Sequence, residues 1–217
     1  MPPSIQTNKF AVAIALMFSL AILSCSGSKT EIFSGNATPA AAPTSSAASD
    51  SVVTLEEFGD YQCPPCGALH PTLKKLKQEL GPRLNFVFRN LPLTSIHKNS
   101  LAAAQAAEAA RVQDHFWQMH DLLYENQDLW KDDVNPRTIF IKFASDLGLD
   151  TARFTRDMDD KQVNLRIQAD QQAAEEMGIN GTPTVLLNGR QLRPEATTED
   201  GIRKGIDFLV THKQPTP

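Results

Sequence analysis

The chain has 217 residues, 41% of them apolar, enough for one folded domain of ordinary size with a tail. Its formal net charge of −4 comes with no long basic run; the densest cluster, Lys74, Lys75 and Lys77, falls in an apolar-periodic segment and reads as the solvated face of a helix. Nucleic acid is therefore excluded as an expected partner, and the odd count of three cysteines makes the compartment depend on where each one lies.

Residues 10–23, "FAVAIALMFSLAIL", form an uncharged apolar run preceded by Lys9. It falls short of the roughly 20 residues of a membrane span and suits the core of a signal peptide, so residues 1–24 read as a signal peptide and the chain as exported. The segment "ILSC", Ile22 to Cys25, resembles a bacterial lipoprotein signal, in which the cysteine carries lipid and becomes the new N-terminus. Ile22 and Leu23 stand where that pattern has leucine and a small residue. The resemblance implies lipidation of Cys25 and a membrane-anchored protein on the extracytoplasmic side of the cell envelope; an uncleaved anchor and plain secretion are the alternatives. With Cys25 accounted for, one cysteine pair remains. Beyond Cys25, the linker of residues 25–51 is rich in Ser, Ala, Thr, Gly and Pro and buries too little apolar surface to offset its ordering entropy.

The folded domain is expected over 52–213, with 214–217 as a tail. "VVTLEEF" is a strand candidate that leads through Asp60 to the pair Cys63 and Cys66. Pro64 and Pro65 fit the first turn of a helix, where N–H groups lack intrahelical partners, which puts Cys63 at the helix N-terminus and the helix end near Leu80, before Gly81-Pro82. "LNFVFRNLP" alternates as a strand. A helical region follows over about 98–177, with breaks near Asn135-Pro136 and Gly148; Phe116, Trp117, Leu122 and Leu123 recur at helical spacing and are expected in its core. Asn188-Gly189 between two apolar runs signals a hairpin, and the closing helix is expected over about 198–209.

This order of elements is that of an α/β thioredoxin-like fold with an inserted helical subdomain. The pieces "EFGDYQCPPC", "FVFRNLPL" with His97, "AAAQAAEAA" with "FWQMHDLLYE", and "GINGTPTVLLNGRQL" resemble the DsbA-like thiol-disulfide oxidoreductases. Disulfide exchange is attack of a thiolate on sulfur, so one cysteine must be accessible and ionise readily while the other resolves the mixed disulfide. Cys63, facing the unpaired N–H groups and positive end of its helix, is the expected nucleophile, and Cys66, one turn further in, the resolving thiol. A plain structural disulfide is the rival reading, weakened by the small loop it would close. Structural zinc would need two further ligands, and no second Cys-x-x-Cys or zinc-spaced histidine pair is present, so neither metal nor cofactor is expected.

The resemblance implies further site residues. Thr182-Pro183 matches the family's cis-proline motif, whose loop lies beside the cysteines and offers backbone groups to substrate. Glu57 falls where the family places a buried carboxylate able to exchange protons with Cys66; Glu56 is its rival, and strand alternation lets only one face the site. Tyr61 is expected at the active-site surface, in contact with substrate, while His70 and His97 read as surface or packing residues.

Oxidising members often carry Pro-His between the cysteines, whereas this chain has Pro64-Pro65. The expected function is disulfide exchange with exported proteins or peptides, as an oxidase milder than a Pro-His relative, recycled by a membrane redox partner and monomeric. The alternatives are a reductase or isomerase of envelope proteins, for example in cytochrome c maturation, and a copper-holding thiol protein without turnover.

Overall fold

The computed structural model describes residues 52–212. The expected signal peptide, Cys25, the linker and the tail lie outside them. Strand β1 (Val53–Gly59) runs into helix α1 (Pro64–Leu80), and after one 3-10 turn strand β2 (Leu84–Asn90) follows. Six helices come next: α2 (Ser100–Arg111), α3 (Phe116–Glu125), α4 (Gln127–Trp130), α5 (Pro136–Asp146), α6 (Thr151–Asp157) and α7 (Lys161–Glu176). Strands β3 (Thr184–Leu187) and β4 (Arg190–Gln191) and helix α8 (Glu199–Thr211) complete the domain. This is the thioredoxin-like α/β architecture with a helical insertion that the sequence suggested.

Local chemistry explains the boundaries. Cys63 is the N-cap of α1, and Pro64 and Pro65 fill the first two helical positions, where no N–H is needed. Gly81 ends the helix at φ 50°, a left-handed backbone that costs glycine nothing. Asn188 and Gly189 have φ of 48° and 74° and turn β3 into β4. The Thr198 hydroxyl accepts from the Gly201 N–H and starts α8. The helical region is cut more often than two breaks suggested: Asp114, with φ 62°, separates α2 from α3, and Asn126 separates α3 from α4.

The sheet order is β2-β1-β3-β4, with β1 parallel to β2 and antiparallel to β3. Val53 and Leu55 pack with Leu69, Leu73 and Ile202, so α1 and α8 cover one face, whereas Phe58 packs with Ala174 and Leu186 under α7 on the other. Odd-numbered positions of β1 therefore point toward α1, and Glu57, paired with Phe88 and Val185 in its neighbours, is carried to that face. Phe116 and Leu123 are buried in the insertion's core with Trp117 and Leu122 packed against it, and that core is continuous with Cys63 and Cys66.

Gly59, at the end of β1, sits where backbone and rings meet. A Cβ there would run into the Phe88 ring and lie 2.9 Å from the Tyr124 hydroxyl. Gly59→Ala is expected to destabilise the domain by about 1–3 kcal/mol, the usual cost of overpacking a filled core. A denaturant midpoint equal to that of the parent chain would contradict this packing.

Candidate active site

The turn between β1 and α1 is held from several sides. Asp60 is buried, and its carboxylate accepts from the Gln62 N–H at 2.8 Å and the Leu93 N–H at 2.9 Å, with His97 Nδ1 at 2.7 Å. The Asp60 carbonyl accepts from the Cys63 N–H. From the insertion, the Gln127 amide donates to the carbonyls of Tyr61 and Cys63 at 2.7 and 3.1 Å, and Gln62 ties the same turn to the Asn99 N–H and the Lys131 carbonyl. The inserted helices thus clamp the segment that presents the cysteines.

Cys63 and Cys66 both carry free thiols. Cys66 has no exposed surface, and Cys63 keeps 4%. The expected accessible thiol is thus nearly covered, because the loop carrying Thr182 and Pro183 closes over it: the Cys63 Sγ lies 3.4 Å from the Thr182 carbonyl oxygen. The Thr182–Pro183 bond is cis. The same loop, with Pro65 and Leu69 of α1, Ile179 and Gln191, lines an open groove of about 800 Å³ beside the pair.

The two thiols differ in ionisation. The Cys63 thiol is pulled down from an ordinary 9.0 to about 6, chiefly by a hydrogen bond from the Cys66 side chain, with burial opposing and the Thr182 side chain and Cys66 N–H adding to it. The Thr182 hydroxyl is buried and has no other partner. With prolines at the first two helical positions, the Cys66 N–H is the first one the helix can offer a thiolate at its cap. Burial pushes the Cys66 thiol far up, helped by its hydrogen bond to Cys63 and the charge of Glu57.

Glu57 is 1% exposed, and burial, with the Cys63 charge as a smaller contribution, pushes its carboxyl up to about 8. One of its oxygens has no hydrogen-bond partner. Glu56, on the opposite face, pairs with Arg89 at 2.7 Å. Among the described expected site residues, Thr182 and Pro183 line the groove, Cys63 lies just beneath their loop, and Cys66 and Glu57 are buried behind it, close enough for the Glu57 charge to act on Cys66. Tyr61, expected at the active-site surface, lies instead in the interior: it is 1% exposed, enclosed by Phe88 and Tyr124, with its hydroxyl 3.1 Å from His120 Nδ1, so its ring is not presented to a substrate. Of the two readings of His70, packing is the one found: it is buried and stacks on Tyr124.

Asp60 and Gln127 escaped the sequence reading, and Thr182, expected for its backbone, also brings its side chain to Cys63. Asp60 could have been suspected, since an aspartate in the turn before a helix readily accepts from the N–H two residues on, but its bonds to Leu93 and His97 are tertiary.

A family model described as Thioredoxin matches residues 45–207. The chain belongs to the thioredoxin family. Its fold is that of the DsbA-like branch: BdbD from Bacillus subtilis, in oxidised form, superposes with a TM-score of 0.65 at 24% identity over 76% of this chain and 90% of that one. A thioredoxin-like oxidoreductase from Silicibacter pomeroyi DSS-3 gives 0.59 at 27% identity, over 71% and 87%, and the oxidoreductase DsbA from Xylella fastidiosa 0.63 at 20%, over 76% and 88%. A curated relative of another kind is Na(+)/H(+) antiporter NhaA 3 of Salinispora tropica, 39% identical over 139 residues, which are 64% of this chain and 20% of that protein. This chain thus spans about a fifth of the length of the curated relatives it matches. Among the described residues no helix is long and apolar enough to cross a membrane.

Proposed function

We propose that this thioredoxin-family protein is a thiol-disulfide oxidoreductase that donates disulfides to exported proteins, with Cys63 as the exchanging sulfur. The observation that carries the reading is the unequal pair: one thiol pulled down to about 6 at the cleft, its neighbour pushed up in the core. In the donor direction a substrate thiolate attacks Cys63 Sγ of the closed disulfide. A substrate–Cys63 bond forms, the Cys63–Cys66 bond breaks, and the electron pair goes to Cys66 sulfur. That sulfur takes up a proton, which Glu57, holding its own up to about 8, is placed to supply. A second substrate thiolate then attacks the substrate sulfur of the mixed disulfide, and Cys63 leaves as a stabilised thiolate. Thr182, Pro183 and the groove beside them support the docking of an extended peptide at this sulfur.

The proposal extends to an envelope location, anchored through lipid on Cys25 and spaced by the linker, with a membrane redox partner that reoxidises the pair. The antiport named in the curated relatives is not carried to this chain, since the likeness covers a fifth of their length.

A thiol at about 6 lies between the roughly 3.5 of the strongest oxidant of this kind and the roughly 7 of thioredoxin, which favours a mild donor. The test is an equilibrium titration of the purified chain against glutathione, with thiolate absorbance followed against pH. The expected potential lies between about −120 and about −270 mV, with one thiolate appearing near pH 6. A potential at or below about −270 mV would reverse the direction to a reductase, and the absence of a titratable dithiol would remove the activity altogether.

A further inference from the structure

Helix α1 carries a second group of chemically able side chains below the cysteines. Where it meets α3, His70, His120 and Asp121 each place one ligand atom within 4.8 Å of the other two. His70 is 4% exposed, and its Nε2 has no hydrogen-bond partner; Asp121 Oδ1 stands 3.5 Å away and Glu125 Oε1 3.9 Å. A buried polar atom left unpaired costs about 1–3 kcal/mol and calls for a ligand or another cause. His120 is also buried; the Tyr61 hydroxyl holds its ring through Nδ1, which leaves Nε2 as the nitrogen for a further partner. A cavity of about 270 Å³, walled also by Lys77 and Trp117, reaches this group.

We infer that His70, His120 and Asp121 form a binding site for a divalent transition-metal ion of the Zn²⁺ class, with open coordination positions toward the cavity. Two imidazoles and one carboxylate suit zinc, copper, nickel or iron and do not suit calcium or magnesium, which take oxygen ligands. The supporting shell exists as well: Tyr61 orients His120, and Lys74 lies 2.9 Å from Asp121 Oδ2, the oxygen that does not face His70. Bonds of about 2.0–2.2 Å require the three ligand atoms to draw inward, and Asp121, 31% exposed, is the one free to move.

The positive charges nearby do not close the site. Lys74 is shared between two carboxylates, Asp121 and Glu125, and meets Asp121 through Oδ2, which leaves Oδ1 toward His70. Lys77 is held over the Trp117 ring, its Nζ 3.3 Å from the centroid. Cys63 and Cys66 take no part in the cluster, so the site stands apart from the exchange chemistry proposed above.

The experiment uses the full chain carrying Cys25→Ser, Cys63→Ser and Cys66→Ser, which removes every thiol, and measures Zn²⁺ bound at equilibrium and the thermal midpoint with Zn²⁺ or with chelator. One bound equivalent and a midpoint raised by Zn²⁺ are expected. Asp121→Asn, at a part-exposed position, is expected to keep the parent midpoint in chelator, lower the affinity about tenfold or more and lose the zinc-induced rise. Absence of bound Zn²⁺ would overturn the inference, as would binding of equal affinity in both Asp121→Asn and His70→Gln.

Discussion

Replacing Cys66 with serine is expected to stop turnover and leave Cys63 carrying substrate as a mixed disulfide, visible as the substrate's mass added to the chain. The reason is the division of labour within the pair. Cys63 has the lowered thiol, keeps a little exposed surface and sits against the Thr182 loop; Cys66 is fully buried with its thiol pushed up. Without Cys66 the pair holds no second thiol to cleave the bond that Cys63 makes with a partner. Cys63→Ser, in a chain that also carries Cys25→Ser, is in contrast expected to give neither turnover nor adduct, because the remaining thiol is both covered and protonated. An adduct on Cys66 in that variant would overturn the assignment of the two roles. A related expectation concerns Cys66→Ala: it removes the largest stabilisation of the Cys63 thiolate, so the Cys63 titration should move up from about 6 toward an ordinary thiol.

Glu57→Gln should act on both rate and stability. Resolution in either direction exchanges a proton at Cys66 sulfur, and Glu57 is a buried carboxyl whose charge acts on that thiol. Loss of a general acid–base group is expected to slow disulfide exchange on the order of 10²-fold near neutral pH, the low end of the range for such groups. In stopped-flow measurements the parent's disulfide donation should weaken above pH about 8, where Glu57 gives up its proton, whereas the variant lacks that inflection.

Stability moves oppositely. The folded-state value, about 8, lies above the ordinary 4.5, so the carboxyl's favourable contribution is full below about 4.5 and is lost as pH rises through 8. The reduced variant, which has no charge to bury, should therefore match the parent near pH 4 and be the more stable of the two above pH 8. Equal rates at neutral pH together with equal stabilities at pH 9 would show that Glu57 is neither a proton carrier nor a buried acid.

Much of the frame was legible because it rests on short-range rules. Prolines at the first two positions of α1 make Cys63 its cap whatever the rest of the chain does. Asn188-Gly189 accepts positive φ and so turns the hairpin, and period-two alternation in β1 allows only one of Glu56 and Glu57 to reach the α1 face. The element order then pointed to the thioredoxin fold and placed a Thr-Pro loop beside a cysteine more than a hundred positions away. Each of these readings needs only a few neighbouring residues or the known consequences of a fold.

Tertiary structure decided what depends on distance and dielectric. That Tyr61 faces inward follows from the aromatic cluster of Phe88, His120 and Tyr124 around it, which no local pattern reveals. The clamps from Asp60 to Leu93 and from Gln127 to the cysteine turn join segments far apart in sequence. Which face of β1 the fold would bury deeply enough to keep a carboxyl protonated could not be read from "LEEF" either, since desolvation is a property of the whole packed core. The same holds for His70 with His120 and Asp121: fifty residues separate the histidines, and only the packing of α1 on α3 makes them neighbours. Sequence by itself determined which residues can carry disulfide chemistry and where the helix presents them; the tertiary fold decided which atoms meet, because ionisation and ligand geometry arise from long-range contacts that exclude water.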